Sequence, residues 1–302
     1  MTFPLMPTIT PTSRTGENWD DIGNASYGDL RAIASGAAGQ IMIGAENLDV
    51  LYSTTYGASI ATKNVQSGTA PIYGVAYGAG LYVVANESTS QVFSSADGGD
   101  SWTQRITGSL DNHAVNFNDG YFIIGTGAEG GRGYINFSTN GTTWLGSPPT
   151  GANSCQCGIY VESLNRTFAA GVAAQAKYRN NRPPYSANGD TWTGDATGLT
   201  GVIYNVAWSP SLGIAVCVGT GGVFSSYSMI GWTRQSTIAM QSVAWCGDVF
   251  VAVGPGGRIM TSVDGLTWRS ETSGTTEALY GVCYTGGTVF ASGDNGVILR
   301  SS

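Results

Sequence analysis

Apolar positions in this chain come in short bursts divided by glycine-rich breaks, and no segment sustains the spacing of a capped helix. Very little helix is expected. Within "YGVAYGAGLYVVANESTSQVFSSADGGDSWTQRI" the pattern predicts one strand near 75–77, a second over 81–85, a third over 92–94 and a fourth from 102. We name these a, b, c and d. The same order recurs in "YNVAWSPSLGIAVCVGTGGVFSSYSMIGW" and in "QSVAWCGDVFVAVGPGGRIMTSVDGLTW". Strands a and b are nearly continuous apolar runs, which suits strands covered on both faces.

Between c and d stands a recurring hairpin. "SSADGGDSW" ends at Trp102, and shorter copies are "STNGTTW" ending at Trp144, "SANGDTW" at Trp192 and "SVDGLTW" at Trp268. Worn copies end at Trp232 ("SSYSMIGW") and Ile60 ("STTYGASI"), and "SRTGENW" ends at Trp19. The anchors 19, 60, 102, 144, 192, 232 and 268 are spaced by 41, 42, 42, 48, 40 and 36 residues, a period that fits one four-stranded propeller blade. The last repeat stops at Ser302 after strand c, while the first copy supplies a strand d with no a, b or c before it. Joining them closes a ring and removes the open sheet edges. The expectation is an all-β, seven-bladed β-propeller of four-stranded antiparallel blades over residues 13–302, closed by the N-terminal strand and preceded by an extended arm, 1–12.

In each hairpin the acidic or amide side chain, Asp97, Asn140, Asn188 or Asp264, is suited to bonding the turn backbone next to Ser95 and its equivalents. Gly99 supplies positive φ. The tryptophans Trp19, Trp102, Trp144, Trp192 and Trp268 are expected to pin strand d against a neighbouring blade. These residues are read as structural, with no catalytic set among them.

Charge narrows the function classes. Of 302 residues only 13 are Lys or Arg, net charge is -7, and no basic stripe is present to neutralise phosphates, so nucleic acid is not an expected partner. Pro4, Pro7 and Pro11 interrupt the opening segment, which therefore does not read as a secretory signal, and no run is apolar enough for a membrane helix. Five cysteines are expected as free thiols of a reducing compartment. Cys155 and Cys157 should share one strand face, yet with His113 as the one histidine no metal site is expected. "GTGAEG" at 125–130 fits a dinucleotide fingerprint but runs on as a strand where a helix is required, and neither a P-loop nor a nucleophile elbow is present. No cofactor is expected.

Propeller topology brings the start of every strand a to one mouth of the central channel. Aligning the repeats puts Leu30, Tyr73, His113, Gln156, Tyr204, Gln241 and Tyr280 there, a ring able to stack on sugars or plug the axis. The b-to-c loops on the same face carry Glu46, Glu87, Glu129, Arg132, Arg258 and Asp294. Blade four has the longest insertion, "AAQAKYRNNRPPYSANG", read as a partner-contact loop through Lys177, Tyr178, Arg179, Arg182 and Tyr185.

The S-x-D-x-G-x-x-W of residues 95–102, with its shortened copies, resembles the Asp-box (BNR) repeat of sialidase-like β-propellers, over essentially the whole chain after residue 12. The resemblance implies a fold more than an activity. Sialidases of that family use an arginine triad, a Tyr and Glu pair and an Asp. Here no "FRIP"-like segment occurs. Arg105, Arg234 and Arg269 follow strand-d tryptophans, and Arg31, Arg132 and Arg258 lack the accompanying set. Assembly factors of the photosystem type are similar in blade count, but their basic patch has no equivalent. In its short glycine-rich repeats and Pro/Thr-rich arm the chain is most similar to propellers of tailed-bacteriophage particles. That implies a non-enzymatic virion protein (tail, tail tip, collar or capsid decoration), assembled in the bacterial cytoplasm in symmetric copies. Its arm and blade-four loop would dock on other virion proteins. The alternative is a glycan-binding or glycosidase-like propeller acting on host-surface carbohydrate, and a third class is a bacterial assembly factor.

Overall fold

Every repeat forms a four-stranded antiparallel sheet, and seven such sheets surround one axis in the computed structural model, a seven-bladed β-propeller. It describes residues 18–37, 39–66, 70–86, 91–106, 112–129, 132–146, 154–172, 176–180 and 192–301. The arm 1–12 and Asn188, Arg182, Tyr185 and Glu87 lie outside the described residues, as do the side chains of Glu129 and Arg132. Among the described residues the helical elements are single 3-10 turns, and no helix is long and apolar enough to cross a membrane.

Strands a of blades one to seven are Leu30–Ser35, Ile72–Gly78, Asn112–Asn118, Cys155–Val161, Ile203–Ser209, Ser242–Trp245 and Leu279–Thr285. In blade seven the order from the axis outwards is Leu279–Thr285, Thr288–Gly293, Ile298–Ser301 and then Trp19–Asp21. Trp19 pairs with Ser301 and Asp21 with Leu299, so the chain ends share one blade as the repeat arithmetic requires.

Among the described residues the core is divided into seven clusters, one between each pair of adjacent blades. Each hairpin anchor belongs to the cluster between its own blade and the preceding one. Trp102 joins blades one and two, Trp144 two and three, Trp192 three and four, Trp232 four and five, Trp268 five and six, and Trp19 six and seven. Ile60 does the same between blades seven and one, in the repeat that lost its tryptophan. The hairpins are therefore clasps between blades.

Their polar residues hold the clasp shape. Ser95 Oγ donates to Asp97 Oδ1 at 2.7 Å and accepts from Gly99 N–H at 2.8 Å, while Asp97 Oδ1 accepts from Ser101 N–H at 2.9 Å. Asn140 accepts from the Thr142 and Thr143 amides, and Asp264 from those of Leu266 and Thr267. Gly99 has φ of 90°, open to glycine without strain. In the worn copies Thr55 and Ser228 take the acidic position, and Ser59 N–H donates to Thr55 Oγ1 at 3.0 Å.

Hydrogen bonds from the Ser101 hydroxyl and amide, then from Ser95, hold the Asp97 carboxyl far below the usual carboxylate range. A depressed native pKa contributes stability that is complete above the unfolded value of about 3.9 and is lost as pH falls through the native one. The stability gap between wild type and Asp97→Ala, measured by urea titration, should therefore be constant above about pH 5 and shrink below about pH 4. A gap that persists unchanged to pH 2 would show that Asp97 acts through packing alone.

Two strand assignments differ from the sequence expectation. Lys177, Tyr178 and Arg179 belong to strand c of blade four (Ala176–Arg179), paired with Ala169, Phe168 and Thr167. Arg179 is buried, Lys177 is paired with Asp195, and the Arg166 guanidinium lies 5.5 Å from the Tyr178 ring centre. Cross-strand pairing captures these residues, while residues 181–191 of the same insertion lie outside the described residues. Cys155 and Cys157 also part company. Cys155 packs between blades three and four and Cys157 between four and five, because a bulge at Gln156 breaks the two-residue alternation. All five cysteines are free and buried, and burial pushes the Cys157 and Cys283 thiols well up.

Candidate functional site: the mouth of the central channel

The bulge at Gln156 is one of a set. In blade one, Leu30 pairs with Ala45 and Ala32 with Gly44, which leaves Arg31 as an extra residue. Tyr73, Tyr204 and Tyr280 are extra in the same way, and the pairing in blade three slips by one residue around His113. In blade six the Gln241 amide donates to Val253 O at 2.7 Å although Ser242 already pairs with Val253. An extra residue bends the strand and re-aims its side chain. Six bulges, and in blade six the residue just ahead of strand a, thus deliver one side chain per blade to one opening.

Glycine at the end of strand b permits this. A side chain at Gly171, Gly219 or Gly293 would collide with the carbonyl just before strand a, of Ser154, Val202 or Ala278. The close approach of those two backbones leaves room for hydrogen alone.

Arg31, Tyr73, His113, Gln156, Tyr204, Gln241 and Tyr280 line a cavity of about 250 Å³ at the mouth. Below it lies a shaft cavity of about 280 Å³ lined by small residues such as Ala32, Ala34 and Ala76 together with Ser35, Asn116 and Ser242. Six of the seven rim residues expected from the sequence meet there. The seventh is corrected: Leu30 is fully buried between blades seven and one, and Arg31 takes the rim. The bulge displaces the rim position by one residue. A buried residue followed by a rim residue recurs as Leu30-Arg31, Ile72-Tyr73, Asn112-His113, Cys155-Gln156, Ile203-Tyr204 and Leu279-Tyr280, and that pairwise signal is visible in the repeats.

The ring is electrostatically lopsided. At the seam of blades seven and one, Arg31 Nη2 lies 2.6 Å from Asp29 Oδ2, with Asp294 at 3.5 Å and Glu46 at 3.9 Å. The guanidinium sits 4.5 Å from the Tyr280 ring centre, and the Tyr280 hydroxyl donates to Asp294 Oδ2 at 3.1 Å. Asn295 joins this network, its amide donating to Asp29 and its side chain to Glu277. Burial is the main cause that pushes the Asp294 carboxyl and the Tyr280 phenol up from their ordinary values. Asp29, Glu277 and Asn295 were not anticipated from the sequence. Across the mouth stand Ser154, His113, Gln156 and Tyr73: Ser154 Oγ is 3.3 Å from both His113 Nε2 and Gln156 Nε2, and Tyr73 is 37% exposed.

Arg31 is the one arginine lining this cavity among the described residues. Arg105, Arg234 and Arg269 sit on the outermost strands, where Arg105 Nε donates to Ser94 Oγ and Arg269 pairs with Glu271. Arg258 opens strand c of blade six, exposed. The arrangement offers aromatic faces, amides and one neutralised cation, a set suited to stacking and hydrogen bonding. Among the described residues no group of three His, Cys, Asp or Glu could hold a metal ion.

The sequence matches no family model and no curated protein. In fold it is similar to solved propellers. A structure described as YCF48 bound to D1 peptide superposes with a TM-score of 0.71 at 14% identity, covering 95% of this chain and 98% of that one. The WD40 β-propeller domain of Doa1 gives 0.73 at 13% identity over 91% and 93% of the two chains. YCF48 from Cyanidioschyzon merolae gives 0.68 at 16% identity over 94% and 98%. At such identities the shared property is the fold.

Proposed function

We propose that this propeller is a non-catalytic structural and interaction component of a bacteriophage particle, whose channel mouth receives a partner and whose residues 1–12 dock on neighbouring particle proteins. Seven side chains, six of them re-aimed by strand bulges and each polar or aromatic, line one opening and support recognition there over mere filling of the axis. The serine, carboxylate and glycine bonding of the clasps supports reading the repeats as Asp-boxes. The short glycine-rich repeats and the uncharged, proline-broken arm support the particle assignment. A fold neighbour carries a bound peptide, which makes a peptide segment a reasonable guest for the mouth.

Particles assembled with a chain lacking residues 1–12 should lose this protein, while the isolated propeller keeps its melting temperature. Normal incorporation of the shortened chain would refute docking through the arm. One observation favours a second reading, a host-glycan binder: Tyr73 is an exposed aromatic at the rim, beside a cavity it shares with Tyr204, Gln156 and Gln241. In that case binding on a glycan array should saturate and be weakened by Tyr73→Ala or Tyr204→Ala. Absence of any array signal leaves the first reading.

A further inference from the structure

Six large apolar side chains are well exposed among the described residues, and four of them, Leu212, Tyr227, Val263 and Leu266, gather on the face opposite the channel mouth. Leu212 lies in the a-to-b turn of blade five, just before strand b (Ile214–Gly219). Tyr227 follows strand c of the same blade, whose Ser226 pairs with Ala215 at the start of strand b. Val263 and Leu266 flank Gly265 in the clasp of blade six, and a side chain at Gly265 would stand 3.3 Å from Ile214. All four therefore border the start of one strand. Tyr227 is 60% exposed and Val263 46%, so neighbouring turns of blades five and six put apolar surface into solvent beside the start of that strand.

The described chain begins on the same side. Asn18, Trp19 and Asp20 run along a groove beside Ser270 and Glu271 of blade six, and Trp19 is the clasp-side end of its strand. Residues 1–12 ahead of it carry no charged side chain, with Phe3, Leu5, Met6 and Ile9 set among Pro4, Pro7 and Pro11. Proline has no N–H to add to a sheet edge, and a patch built from turns offers no edge to extend. What proline-spaced apolar residues do fit is a shallow aromatic and aliphatic surface. Fully extended, twelve residues reach about 40 Å, enough to pass from one molecule to the next.

We infer that residues 1–12 of one copy dock on the Leu212, Tyr227, Val263 and Leu266 patch of a second copy. This deepens the proposed docking role of the arm by naming its receptor. The contact is heterologous, patch to arm, so it links copies head to tail into rings or strings.

The test uses a fluorescent peptide of residues 1–12, the full chain, and a chain lacking residues 1–12. The peptide should bind the shortened chain saturably, and Leu212→Glu with Leu266→Glu, or Tyr227→Ala, should weaken it at least about tenfold. Light scattering should show the full chain associating with concentration, and the shortened chain and the Glu variants staying monomeric. Far-UV circular dichroism and melting confirm that these surface variants fold. A full chain that stays monomeric yet excludes the peptide would mean that the arm covers its own patch, and the inference falls. No peptide binding to the shortened chain also overturns it. If the shortened chain nonetheless fails to enter particles, the arm has another receptor and the proposed function stands without this one.

Discussion

Removing residues 1–22 should leave a chain that does not melt cooperatively at the wild-type temperature and that aggregates, whereas removing residues 1–12 should leave melting unchanged and the chain monomeric. The longer deletion takes away strand d of blade seven and with it the pairing of Trp19 to Ser301 and Asp21 to Leu299. The Ile22 amide that donates to Ile298 O at 2.8 Å goes too. Trp19 leaves the cluster between blades six and seven, and Ile22 the one between seven and one. Truncating one large core side chain costs about 3–5 kcal/mol, and fully burying an aliphatic one is worth about 1.5–3 kcal/mol. Together these approach the roughly 5–15 kcal/mol that holds a typical domain folded. The bared strand Ile298–Ser301, with Ile298 and Leu299 fully buried in the intact ring, becomes an open edge that invites aggregation. Scanning calorimetry and light scattering decide the matter, and a wild-type melt after loss of residues 1–22 would mean the ring does not depend on its seam.

Trp232→Ala is expected to be the most damaging single change in a clasp, at about 3–5 kcal/mol in urea titration. Trp232 is 5% exposed, its ring centre lies 4.9 Å from that of Phe168 across the boundary of blades four and five, and Met229 of the same clasp is fully buried. Trp232→Phe should cost clearly less. The indole N–H is buried without a hydrogen-bond acceptor among the described residues, so the smaller ring sheds an unmet donor along with some contact area. Tyr227→Ala, five residues away and largely exposed, provides the control and should stay within about 0.5 kcal/mol of wild type. A loss below about 1 kcal/mol for Trp232→Ala would place the cohesion of the ring in strands a and b and demote the clasps to decoration.

The repeated clasp made the architecture legible from the chain alone. Spacing of tryptophans counts blades, the incomplete first and last copies locate the seam, and Ser95, Asp97 and Gly99 need their own turn alone to take up their roles. All of that is local or periodic, which is why the residue order suffices for it. The rim residues Tyr73, His113, Gln156, Tyr204, Gln241 and Tyr280 were also legible, since equivalent positions of equivalent blades meet at one place on the axis.

What the tertiary structure alone decided begins where the two-residue alternation of a strand breaks. Bulges at the start of strand a exchange Leu30 for Arg31 at the rim and send Cys155 and Cys157 to different blade boundaries. Pairing with strand b draws Lys177, Tyr178 and Arg179 out of the expected loop. The network of Arg31, Asp29, Tyr280 and Asp294 joins residues up to 265 positions apart in the chain, and the apolar patch gathers turns from two blades. Such features follow from how closely neighbouring backbones approach once the ring has closed. No single repeat carries that distance in its own residues, so only the assembled blades could set it.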